Sequence, residues 1–285
     1  MTDSSDSRGF ANPHAQPSIA PIEVIRSAIR NRNLILALIQ RELASRYQGA
    51  GLGFVWAILN PLIMVAIYTF VFGVAFKARW IGGTGATAEF ALMLFCGLVV
   101  YSILSECLLR APMLVVSNPN YVKKVIFPLE TLPFVIVGSA LFNAFVSFCV
   151  WFVVCVLFLR MPNATSVLLP VVIIPLVLVS LGVTWLLSSL GVFLRDLAQI
   201  VPFVSTVLLF MSPVFYPLAS LPKIIQPFIF FNPLTLPIES ARAVLFLGGG
   251  VDWSAWSLSL VMSLIFCYLC FVWFQKTRKG FADVV

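Results

Sequence analysis

Charge is what this sequence has least of. Only 10% of its 285 residues are Asp, Glu, Lys or Arg, against about 25% in a soluble domain. Histidine occurs once, at His14, and a lone imidazole in a polar tail cannot anchor a metal site. No G-x-x-x-x-G-K-[ST] stretch is present, which excludes a phosphate-cradling ATP loop on this chain. No series of carboxylates crosses the apolar runs as a proton relay would, and no repeated carbonyl-filter motif of a channel is visible. If such a chain moves something uphill, the energy comes from another chain. The first residues lack the apolar core of a signal peptide. The six cysteines read as small lipid- or helix-facing residues; Cys267-x-x-Cys270 has redox spacing but no second pair and no histidine partner.

What is there is apolar sequence. Hydrophobic residues make up 61% of the chain, and the mean hydropathy is +1.04. Charge-free runs cover residues 47–76, 131–159, 161–194, 197–222 and 253–275, each beyond the roughly 20 residues that span a bilayer's hydrocarbon core. Residues 90–105 are too short alone, but suffice if the helix runs through Glu106 to Leu109, with that glutamate near the interface or facing protein. The expectation is an all-α integral membrane protein with six transmembrane helices. Placing the N-terminus in the cytoplasm puts thirteen of the 18 Lys and Arg on the inner side, so both termini are expected to be cytoplasmic. The net charge of +7 is then mostly a topology signal rather than a nucleic-acid footprint.

Residues 1–21 read as a disordered cytoplasmic tail. Residues 22–46 read as an amphipathic interface helix: Ile22, Ile25 and Ile29 recur at helical spacing with Arg26, Arg30 and Arg32 among them. The transmembrane domain is expected over 47–275, and a cytoplasmic tail over 276–285. Within the domain, residues 110–130 form an inner loop in which Pro119, Pro128 and Pro133 bracket Lys123 and Lys124. That segment admits three readings: topology signal, anionic-lipid contact, or docking point for a cytosolic partner.

The pattern breaks after residue 197. Seven prolines fall between Pro202 and Pro237, and the apolar piece 224–238 is too short and too interrupted to cross. Non-helical backbone at membrane depth survives only when buried in protein or lining a wet cavity. A re-entrant pair of short helices over 218–250, dipping in from the outer side and ending at Gly248-Gly249-Gly250, is expected. Glu239 and Arg242 share a face there, as a gate pair or an ordinary surface ion pair.

Five stretches in order resemble the membrane subunit of bacterial polysaccharide exporters of the ABC-2 type, the permeases for O-antigen, teichoic acid and capsule. They are RELASRYQGAGLGFVWAILNP (41–61), NPNYVKKVIFPLETLP (118–133), GVFLRDLAQI (191–200), SPVFYPLASLP (212–222) with FNPLTLPIESAR (231–242), and FQKTRKGFADVV (274–285). The resemblance implies an inner-membrane homodimer around a channel, driven by a separate ABC ATPase that binds the ATP and magnesium; this chain then holds no cofactor. It implies a lipid-linked glycan as cargo, most simply O-antigen on undecaprenyl diphosphate. Arg41, Arg46 and Tyr47 would meet the diphosphate, or else anchor a helix among the headgroups. Trp56, Tyr68, Phe203 and Phe210 would line the channel. Ile25, Ile29, Arg30, Lys123, Lys124, Arg195 and Asp196 would couple to the ATPase or form the cytoplasmic gate, and Glu239 with Arg242 the periplasmic one. A smaller lipid or drug cargo is the alternative within the family. A membrane enzyme is the alternative outside it, but Glu89, Glu239 and Asp252 without a histidine make a thin outer-face site.

Overall fold

The computed structural model describes residues 20–48, 51–76, 87–122, 127–159, 161–224, 226, 229 and 231–284. All regular structure among them is helical. The principal helices are α1 (Pro21–Arg30), α2 (Arg32–Tyr47), α3 (Trp56–Tyr68), α4 (Thr87–Arg110), α5 (Leu132–Phe158), α6 (Ile174–Phe193), α7 (Leu197–Met211), α8 (Thr235–Arg242) and α9 (Trp253–Thr277). Proline sits in the first turn of α1, α5 and α6, where its missing N–H costs nothing and its fixed φ suits the helix. The chain turns from α2 into α3 through Gly53, whose φ of 51° is open to glycine at little cost. Helix α3 widens into a π turn, Thr69–Ala75, after the internal Pro61.

Among the described residues five helical stretches are long and apolar enough to cross a membrane: Gly53–Ala75, Glu89–Met113, Leu129–Phe158, Ala164–Phe193 and Trp253–Gly280. The run 197–222, expected as a sixth, forms only the 15-residue α7. Ser212 is extended and begins a proline-broken stretch, because a residue before proline is pushed out of helical geometry. At 1.5 Å per residue α7 is about 22 Å long, short of a roughly 30 Å hydrocarbon core.

Helix α4 is the centre of the fold. Ala91, Leu94, Cys96, Val100, Ile103 and Cys107 are wholly buried, and α3, α5, α6, α7 and α8 surround it. Where helices approach closely, a glycine allows it. A Cβ on Gly191 of α6 would overlap the Pro112 carbonyl, and one on Gly182 would lie 3.1 Å from the backbone of Cys267 in α9. Small residues at such crossings are how helices associate without a hydrophobic drive between them.

Three segments far apart in sequence meet at one end of the bundle. Ser27 of α1 donates to Glu130 Oε1 at 3.3 Å, and Arg278, just beyond α9, donates to Glu130 Oε2 at 2.7 Å and to the Phe127 carbonyl at 3.0 Å. At the opposite end α8 runs on as a π turn, Ala243–Leu247, and stops at Gly248 in the left-handed region. Asn163 and Thr165 donate to the Phe246 and Val244 carbonyls there, at 3.0 and 2.6 Å, so backbone groups freed by the wider turn find partners.

Candidate functional site

The last turn of α2 carries Arg46 on the side facing α4. Its guanidinium donates to Oε1 of Glu106, one turn before the end of α4. Arg110, one turn further on, donates to the same Oε1 at 3.1 Å and also pairs with Glu42. Asn143 of α5 donates to Glu106 Oε2 at 2.9 Å. Both oxygens of one carboxylate thus collect donors from α2, α4 and α5. Burial alone lowers the pKa of Arg46, but the hydrogen bond and charge of Glu106, with Tyr47 and Glu42, outweigh it and hold the pKa above its usual value. The group is a permanent cation.

Arg46, Glu106 and Asn143 of this network form one wall of a cleft of about 620 Å³ between α2, α3, α4 and α5. Tyr47, Trp56, Tyr68, Phe95 and Tyr101 supply aromatic surface, and Asn60, Asn143 and Ser147 supply hydrogen-bonding groups. Tyr101 donates to the Ser205 carbonyl at 2.8 Å, and Ser105 lies 2.9 Å from the Ser205 hydroxyl, oxygen to oxygen. The wall is thereby tied to α7. An arginine paired with a glutamate beside aromatic walls suits a ligand with an anionic group that can compete for the arginine and rings with apolar faces.

At the opposite end Arg242 is buried rather than part of a surface ion pair. Its side chain is 3% exposed and donates to the Met93 carbonyl at 3.1 Å, Pro213 at 2.5 Å and Val214 at 2.6 Å, as well as to Glu239 at 3.2 Å. One guanidinium fork binds carbonyls of α4 and of the broken stretch after α7.

Residues 33–246 match the family model of the ABC-2 type transporter. The chain belongs to the ABC-2 transporter family. It is 26% identical to the O-antigen export system permease protein RfbA of Myxococcus xanthus over 266 residues, which is 93% of this chain and all of the relative. A protein of the same description from Klebsiella pneumoniae is 24% identical, with 89% and 95% covered. The polysialic acid transport protein KpsM of Escherichia coli is 24% identical, with 72% and 78% covered.

On this ABC-2 chain the expected site residues divide into groups. Arg46, Tyr47, Trp56 and Tyr68 converge on the cleft. Arg41 lies outside it, donating to the Tyr121 hydroxyl at 2.7 Å, with Tyr121 stacked on Phe127. Phe203 and Phe210 are absent from the cleft and stand exposed on α7. Ile25 and Ile29 form an exposed stripe on α1, while Arg30 pairs with Glu23 at 3.3 Å. Arg195 and Asp196 occupy an exposed turn between α6 and α7. Lys123 and Lys124 lie outside the described residues. Sequence reading missed Glu42, Arg110 and Asn143 as site members, and did not assign Glu106 a role. Their signal was faint: Glu42–Arg46 and Glu106–Arg110 are each four apart on a helix, but the pairs exchange partners across 60 and 68 residues.

Proposed function

We propose that this chain is the membrane subunit of an exporter of lipid-linked polysaccharide, with O-antigen on undecaprenyl diphosphate as the cargo. It works as a homodimer in the bacterial inner membrane, driven by a separate ABC ATPase that holds the ATP and magnesium. The observation that carries this reading is the cleft lined by Arg46, in which a guanidinium adjoins aromatic walls. A diphosphate fits the guanidinium, and sugar rings slide over aromatic faces without being fixed. The O-antigen export role of the relatives from Myxococcus xanthus and Klebsiella pneumoniae supports the same cargo.

Both termini are cytoplasmic, in keeping with the bias of Lys and Arg. The meeting of Ser27, Glu130 and Arg278 at one end supports an even number of crossings. Five long helices alone would put residues 27 and 278 on opposite sides, so the segment 197–252 supplies the sixth traverse, with 218–250 re-entrant from the periplasmic side. Helix α1 and residues 110–130 then form the coupling region, with Lys123 and Lys124 in the cytoplasmic gate and Glu239 with Arg242 bracing the outer one. Residues 1–21 and 276–285 are cytoplasmic tails.

Arg46→Ala tests the assignment. In vesicles holding the permease and its ATPase, the variant should lose most of the stimulation of hydrolysis by lipid-linked glycan while basal hydrolysis persists. Equal loss of both would make Arg46 a helix anchor and remove the main support for a headgroup site.

A further inference from the structure

Resting on the export reading above, we propose that Glu106 is a built-in counter-anion which the substrate's diphosphate displaces. Its two carboxylate oxygens receive Arg46, Arg110 and Asn143, three donors converging from α2, α4 and α5. That is the donor pattern of an anion site, and it opens on the cleft, since Arg46, Glu106 and Asn143 all line it. With Glu42 on Arg110, two guanidiniums face two carboxylates, so the resting site is neutral and needs no ligand. A diphosphate offers more acceptor oxygens and more charge than a carboxylate, so it can take the same donors.

The exchange has a structural consequence. The Arg46–Glu106 pair is a direct polar tie between α2 and α4. A diphosphate that captures Arg46 leaves Glu106 beside a like charge, and the carboxylate must swing away from the donors. Helix α2 then exchanges this polar tie to α4 for a tie to the ligand, keeping Glu42–Arg110. Because α2 is continuous with α1 across the single residue Asn31, headgroup capture is felt at the interface helix. Glu106 thereby sets affinity by competition and reports occupancy of the cleft to the coupling region.

Competition and plain structural support predict opposite signs, which makes the test decisive. Binding of undecaprenyl diphosphate to the purified chain in lipid nanodiscs is measured for the native protein, Glu106→Gln, Glu106→Asp and Arg46→Gln, with thermal midpoints to verify folding. Removing the competing charge while keeping the shape should tighten binding by on the order of tenfold, the worth of one hydrogen bond to a charged group. Glu106→Asp keeps the charge and should stay near the native affinity, and Arg46→Gln should weaken binding by a similar factor. If Glu106→Gln folds poorly, Glu106→Ser serves instead: a smaller neutral group should likewise tighten binding about tenfold. Unchanged or weaker binding in Glu106→Gln, with Arg46→Gln still impaired, overturns displacement and leaves the export reading standing. Binding that no variant alters, in folded protein, overturns the diphosphate site itself.

Discussion

Glu130 shows how much one buried carboxylate can organise. It is 6% exposed, yet it holds Ser27 from one end of the chain and Arg278 from the other, while its own carbonyl accepts the Trp185 indole at 3.3 Å. Removing one partner of such a pair strands the other. For a fully buried pair the cost is about 3–5 kcal/mol; the Arg278 side chain is 23% exposed, so about 2 kcal/mol is the fitting expectation. Glu130→Ala should lower the unfolding midpoint and speed hydrogen exchange selectively in α1 and residues 278–284. The Arg278→Ala change should add little on top, since both remove one interaction. Arg242 makes the complementary case at the far end. Its fork spans carbonyls of Met93, Pro213 and Val214, which a single ammonium cannot reach together. Arg242→Lys should therefore destabilise the protein nearly as much as Arg242→Met, by about 2–4 kcal/mol, read from thermal unfolding in detergent. Full rescue by lysine would mean that charge rather than the fork is what the site requires.

At the scale of elements, the ends of helices separate what sequence shows from what it hides. Helix α9 starts at a legible signal: Asp252 is the N-cap and accepts the Ser254 and Ala255 backbone N–H groups at 3.1 Å. The Ser254 hydroxyl, followed by those backbone bonds, holds the Asp252 pKa below its ordinary value. A depressed carboxylate contributes stability above its unfolded pKa of about 3.9 and loses it as pH falls through the folded value. The first turn of α9 should accordingly fray below about pH 4, seen as faster exchange at the Ser254 and Ala255 amides. Asp252→Asn should abolish that pH dependence while keeping the cap.

Helix α4 is the opposite case. Its charge-free run is the shortest, so by hydropathy it is the weakest of the expected spans, yet it is the most enclosed helix. The reason is physical: a helix wrapped by protein on all sides does not need uninterrupted lipid compatibility, because Arg46, Arg110 and Asn143 satisfy Glu106. Nor could period or composition tell that Phe203 and Phe210 stand away from the cleft that Trp56 and Tyr68 line. Where nearly every face is apolar, amphipathicity carries no direction. The prolines after residue 212 end α7 because their chemistry forbids continuation, an end that counting the charge-free run 197–222 passed over.

For the whole molecule, the question is what the two ends of the bundle are for. Helix α1 has two faces of different use. Ser27 turns inward to Glu130, while Ile22, Ile25 and Ile29 point away from the rest of the chain, each about 60% exposed. An isoleucine stripe with no partner among the described residues contributes little to the fold, so replacing it should leave the fold intact and affect only what docks there. In the proposed assembly the stripe meets the ATPase at the membrane interface. Ile25→Glu with Ile29→Glu should leave the thermal midpoint of the isolated permease within about 0.5 kcal/mol equivalent. The same change should sharply reduce recovery of a P-loop ATPase when the tagged permease is drawn from gently solubilised membranes. If the native protein brings down that ATPase in equal amount and the double variant does too, the stripe lies against lipid and coupling rests on Arg195, Asp196 and the loop at 110–130. If the native protein comes down alone, the energy source proposed for this chain is wrong, and the outer-face carboxylates Glu89, Glu239 and Asp252 become the place to look for chemistry.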